Sequence, residues 1–131
     1  MNQSAVDGVV TFAEGLPGFE DHHQFMLLAS SDMQPFTVMR GMADGGPSFV
    51  AIDPRMVDRG YQATLDRVDL ERLSADDRDT LLWLAIVAAR EDGSATANLR
   101  APVVINPGTM RGIQVIAAES QYRTDHPLPL G

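Results

Sequence analysis

Glu20-Asp21-His22-His23 is the densest group of chemically able side chains in the sequence. Two imidazoles beside two carboxylates could ligate a divalent ion or relay protons. In an extended chain, however, adjacent side chains point to opposite faces, so His22 and His23 do not readily share one ion. The third histidine, His126, lies near the other end of the chain. There is no cysteine, which removes thiolate metal sites and disulfides alike. The chain has no phosphate-cradling glycine loop, no Gly-x-Ser-x-Gly elbow and no His-Glu-x-x-His. Carboxylates abound, but nothing in their linear order pairs two of them in a cleft. The expectation is a protein that is not an enzyme, with no cofactor and no metal.

Charge is the second source of chemistry, and it is unevenly spread. Residues 1–52 hold six acids against Arg40 alone, while residues 53–79 hold eight acids and five arginines. Residues 80–131 balance at four of each, and the whole chain carries −8. Such a surface repels phosphate backbones, which argues against direct nucleic-acid binding. It suits a basic protein partner, although acidity also serves solubility alone. All ten cations are arginine. No stretch approaches the ~20 apolar residues of a membrane-spanning helix. The start, MNQSAVDGVV, lacks the basic head and apolar centre of a signal peptide. A cytoplasmic protein is expected, with no membrane contact.

The elements that must position these groups are short. At 131 residues the chain fits one domain. Turn signals recur at Gly15-Leu16-Pro17-Gly18, Asp44-Gly45-Gly46-Pro47, Asp53-Pro54, Asp92-Gly93-Ser94 and Asn106-Pro107-Gly108. Between them lie β-forming segments at 9–12, 24–29, 36–40, 48–52, 96–99, 103–106 and 112–117. Many short strands with regular punctuation predict an all-β, antiparallel barrel-like or sandwich domain. A helical turn is expected over 69–74, with Leu70 and Leu73 turned inward. Residues 80–90, TLLWLAIVAAR, suit a helix by composition. Their continuous apolarity suits a strand buried on both faces equally well. Periodicity does not separate the two.

Several motifs in register resemble the FliW family. They are Gly15-Leu16-Pro17-Gly18-Phe19-Glu20 followed by Phe25-Met26-Leu27-Leu28, then Pro35-Phe36, Phe49-Val50-Ala51-Ile52-Asp53-Pro54 and Gly60-Tyr61. The most specific is Thr96-Ala97-Asn98-Leu99-Arg100-Ala101-Pro102-Val103-Val104-Ile105-Asn106. Gln114-Val115-Ile116 and Tyr122 to His126-Pro127-Leu128 complete the series, so the resemblance spans about residues 9–128. Two stretches depart from the family pattern: Thr37-Val38-Met39-Arg40-Gly41, and the alanine- and leucine-rich run at 81–89. The resemblance implies a single, mainly antiparallel β-barrel-like domain with one or two short helical turns, and makes 80–90 a strand. It also implies a flagellar assembly factor that binds flagellin and the translational regulator CsrA. By that logic CsrA bound to it cannot repress flagellin translation, and new flagellin displaces CsrA by partner exchange.

The residues themselves nominate where partners would touch. Phe19 and Glu20 follow a turn in which Pro17 presets its own dihedral and Gly18 supplies a positive φ, with Gly15 just upstream. Phe19 either enters the core or anchors a partner. Asp53, Tyr61, Asp69, Glu71 and Asp77 make the acidic stretch an electrostatic docking candidate, against a plain solvated face. Asn98 and Arg100 share one strand face ahead of Pro102, where a bulge or new strand begins, and Asn106 is expected to satisfy backbone groups. The methionines at 33, 39, 42 and 56 could line an adaptable surface or fill the core. Two rival functions stay open from the residues alone: a barrel holding a small ligand inside, and a hydrolase using the histidines or carboxylates.

Overall fold

The computed structural model describes residues 8–76, 78–116 and 120–128. Nine strands and two short helices follow in the order β1 (Gly8–Thr11), β2 (Gln24–Leu28), β3 (Phe36–Gly41), β4 (Ser48–Ile52), α1 (Pro54–Val57), α2 (Arg67–Arg72), β5 (Leu82–Ala89), β6 (Ala95–Ala97), β7 (Val103–Asn106), β8 (Arg111–Gln114) and β9 (His126–Pro127). The pairing order β4-β3-β2-β1-β8-β7-β5 closes on itself through β4–β5, giving a seven-stranded barrel. β6 and β9 extend the sheet beside β5. Closure leaves the barrel strands no free edge to template aggregation. The pairings are antiparallel except β1–β8, which meet in parallel at Thr11 and Arg111.

Each barrel strand splits its side chains between an interior and an outer surface. Val10, Phe12, Phe25, Leu27, Met39, Ala51, Leu84, Val103 and Ile105 fill the interior. Part of the outer surface carries a second layer. Ile52, Ala85, Ala97 and Leu99 pack there with Tyr61, Trp83 and Tyr122, while Val104 and Ile113 pack beneath Leu73. This double coverage explains residues 80–90. In β5, Leu82, Leu84 and Ile86 face the interior, and Trp83, Ala85 and Val87 face the second layer. A strand buried on both faces needs no polar alternation. Its helical propensity is overridden by ladder bonds to β4 on one side and to β7 and β6 on the other.

The helical turn begins two residues earlier than expected. Asp66 is the N-cap, its side chain accepting from the Asp69 N–H at 2.8 Å while Asp69 accepts from the Asp66 N–H at 3.3 Å. This reciprocal capping box starts α2 at Arg67. Ser74, at φ 50°, ends it, and Leu73 is fully buried while Leu70 is half-buried. α1 is capped by Asp53, which accepts from the Arg55 N–H at 2.9 Å, with Pro54 in the first turn. The segment expected at 96–99 ends as a strand at Ala97, because Asn98 turns the chain. The last barrel strand stops at Gln114, and residue 117 lies outside the described residues.

Candidate binding surfaces

The Gly15 to Glu20 turn lies between β1 and β2 and sends Leu16 into the interior cluster. The Phe19 N–H donates to the Leu16 carbonyl at 2.7 Å, and Gly18 sits at φ 85°. A side chain on Gly15, itself at φ 67°, would meet the Phe19 and Glu20 backbone at 2.7 Å. Pro17 is exposed at the tip. Glu20 accepts the Gly18 N–H at 2.9 Å, and that bond holds its carboxyl below the usual range. Leu16 is buried, whereas Phe19 keeps 37% of its surface exposed. The Phe19 ring packs edge-on against Phe49 at 5.4 Å, and Phe49 in turn meets Phe25 at 6.0 Å. Phe19 is therefore anchored to the interior and still offers an aromatic edge to solvent.

Asn98 to Pro102 forms the second local structure. Opposite β5, Val87 pairs with Ala97 and Leu84 with Val103. Six steps on one side face three on the other, so three residues are looped out of the ladder. The Asn98 side chain organises that loop, accepting from the Arg100 N–H at 3.1 Å and the Ala101 N–H at 3.0 Å. Asn98 and Arg100 are both half-buried, and Pro102 is buried directly ahead of β7. Asn106 is a buried strut, 3% exposed. Its amide donates to the Leu73 carbonyl at 3.1 Å and accepts from the Gly108 N–H at 2.9 Å, tying the end of α2 to the barrel.

The acidic stretch is partly consumed by its own backbone. Asp53 caps α1, Asp69 completes the capping box of α2, and Arg72 bridges Asp69 at 3.8 Å and Glu14 at 2.9 Å. Glu71 is exposed, and Asp77 lies outside the described residues. Tyr61 is only 6% exposed. Its hydroxyl donates to the Leu99 carbonyl at 2.9 Å, and its ring lies 4.5 Å from that of Tyr122. Burial, with Tyr122 beside it, pushes the Tyr61 hydroxyl up to about 12. Tyr61 is thus a packing residue of the second layer. Asp66 and Tyr122 were legible only through context. The first shows in Asp66-x-x-Asp69; the second has no local signal, because its hydroxyl accepts the Gln62 N–H across 60 residues, at 2.8 Å.

The histidines do not assemble a site. His23 contacts the Phe12 carbonyl through Nδ1 at 3.1 Å, and His22 lies edge-on to Phe19 at 6.2 Å. His126 pairs with Ala97 in the β6–β9 ladder. Among the described residues no three histidine or carboxylate side chains converge as metal ligands. The barrel interior is packed with phenylalanine, leucine and valine, so the cavities are surface grooves. One of about 510 Å³ runs along the β1–β8 seam past Glu14, Arg72, Met110 and Arg111. No helix among the described residues is long and apolar enough to cross a membrane.

A closed barrel with a packed interior, and with its turns and an acidic segment on the outside, is the architecture that the comparisons with known proteins place. The FliW protein family profile matches residues 2–128. Among relatives, the flagellar assembly factor FliW of Anoxybacillus flavithermus is 38% identical over 121 residues, covering 92% of this chain and 83% of that protein. The factor of Bacillus velezensis is 32% identical over 119 residues, 90% of this chain and 83% of that one. A crystal structure of the flagellar assembly factor FliW superposes with a TM-score of 0.83 at 32% identity, over 99% of this chain and 91% of that one. The chain belongs to the FliW family of flagellar assembly factors and is not an enzyme.

Proposed function

We propose that this chain binds flagellin and the translational regulator CsrA in the cytoplasm and couples their availability by partner exchange. Family membership carries the reading. CsrA held by the chain is withheld from flagellin messages, and newly made flagellin releases it. The device needs no reaction, only two binding equilibria linked through one scaffold. The net charge of −8 supports the CsrA half, because a protein that binds RNA presents basic surface. Exposed Glu71, with Asp77, is the proposed contact there, since Asp53 and Asp69 are engaged in capping. Phe19 and Glu20, between β1 and β2, and Arg100, on the 98–102 loop, remain partner-contact proposals.

The deciding experiment is calorimetric titration of the purified chain with flagellin and with CsrA from the same organism, singly and in competition. Micromolar or tighter binding of each, with flagellin reducing CsrA occupancy, is expected. Failure to bind either partner would refute the reading. Reversal of Glu71 and Asp77 to lysine is expected to slow CsrA association and flatten its salt dependence. Unchanged rates would remove those two residues from the interface.

A further inference from the structure

Two aspartyl-glycine pairs, Asp44-Gly45 and Asp92-Gly93, lie in described turns, and the fold treats them in opposite ways. Both aspartates and both glycines are exposed. Both glycines hold a positive φ, 71° at Gly45 and 87° at Gly93, and a Cβ on either would meet nothing within 4 Å. Local sequence, exposure and space are therefore matched. The two pairs differ in how the carboxylate and the glycine N–H are engaged.

Asp92 is tied down. Its Oδ1 accepts the Ser94 hydroxyl at 2.6 Å and the Ser94 N–H at 2.9 Å, while the Gly93 N–H donates to the Arg90 carbonyl at 3.1 Å. The Ser94 hydroxyl, then the Ser94 N–H, hold the Asp92 carboxyl below the usual range. Asp44 is at the tip of the hairpin between β3 and β4. There the Gly46 N–H donates to the Ala43 carbonyl at 2.8 Å, and Gly45 takes the positive φ of a type II turn. Neither the Asp44 carboxylate nor the Gly45 N–H has a hydrogen-bond or ion-pair partner among the described residues. Gly45, lacking a side chain, lets the backbone turn toward that carboxyl.

A free carboxyl beside a free, unhindered backbone nitrogen is what aspartyl ring closure needs. The Gly45 nitrogen bonds to Asp44 Cγ, and the Cγ hydroxyl leaves with the amide proton as water. The reacting carboxyl is the protonated one, because an oxide does not leave. Water then opens the cyclic imide at either carbonyl. Opening at Cγ restores aspartate, and opening at the main-chain carbonyl leaves isoaspartate, with one extra methylene in the backbone. One water departs and one returns, so the change consumes no co-reactant.

We propose that Asp44 is a site of spontaneous isoaspartate formation, and that the hydrogen bonds of the Asp92 turn shield its twin from the same reaction. The extra methylene falls beyond the last ladder pair of the hairpin, Arg40 opposite Ser48, where the Gly41 N–H donates to the Pro47 carbonyl at 2.8 Å. Met42 and Ala43 there line a surface groove with His22 and His23, so the lesion reshapes that groove and leaves the packed interior alone.

The test is prolonged incubation of the folded chain at neutral pH, then cleavage after arginine and mass spectrometry with electron-transfer fragmentation, which distinguishes isoaspartate. The two sites fall on separate peptides, residues 41–55 and 91–100. Isoaspartate is expected at Asp44 at least about tenfold faster than at Asp92, since one hydrogen bond to a carboxylate is worth about that factor. In guanidinium chloride the two rates should converge, because only the fold separates them. Ser94→Ala should raise the rate at Asp92, and Asp44→Glu should abolish the product in peptide 41–55. Equal rates at the two sites in the folded chain, or no isoaspartate at Asp44, would overturn the proposal. A gap that persists after unfolding would overturn it too, by assigning the difference to local sequence.

Discussion

Asn98 shows how one side chain can hold a motif together. Its carbonyl oxygen satisfies two backbone N–H groups in the loop between β6 and β7. Asn98→Ala strands both donors in a half-buried site and is expected to cost about 1–3 kcal/mol. Urea unfolding read by circular dichroism checks this, with a midpoint shift and unchanged slope as the outcome. Tyr61 yields a pH prediction. Its hydroxyl loses a proton only near pH 12 in the folded chain, against an ordinary value of 10. The native state therefore favours the protonated phenol. The stability from that preference is fully present below pH 10 and is lost as pH rises through 12. Tyr61→Phe removes the hydrogen bond to Leu99 at a cost of about 1 kcal/mol, and should blunt the alkaline decline in unfolding free energy.

Among the elements, the β1–β8 seam is where closure is most delicate. A Cβ on Gly112 would sit 2.5 Å from Phe12, whose ring fills the interior behind that parallel contact. Gly112→Ala forces the ring aside and is expected to destabilise by about 1–3 kcal/mol. A lowered thermal midpoint, rescued in part by Phe12→Leu, would identify the clash as the cause. The α2 capping box is the second case. Asp66→Ala removes one half and should cost about 0.5–2 kcal/mol, detectable as faster amide exchange over α2 before the barrel strands open.

For the whole molecule, the closed barrel separates stability from recognition. Among the described residues its interior is packed with side chains, and the proposed contacts lie on the outside. Truncating the interior demonstrates the distinction: Phe25→Ala, removing a fully buried ring, is expected to cost about 3–5 kcal/mol and to weaken every partner in proportion to the unfolded fraction. A surface reversal at Glu71 should instead spare stability and change partner binding alone. A melt paired with a titration separates the two patterns.

Local chemistry in the chain was enough to establish the all-β class, the turns at Gly15 to Gly18 and Asp92 to Ser94, and the inward Leu73. These follow from dihedral preference, side-chain period and residue type, which act over a few positions. Tertiary structure alone decided the rest. Within residues 80–90, Leu82–Ala89 became a strand because two layers, assembled from both ends of the chain, pack against both faces of its first six residues. Tyr61 moved from candidate contact to core because Leu99 and Tyr122, distant in sequence, enclose it. Leu28, Val38 and Val50 stand opposite one another only through register, which no single segment encodes. Pairing energies between remote strands choose such arrangements, and their partners are not written beside them.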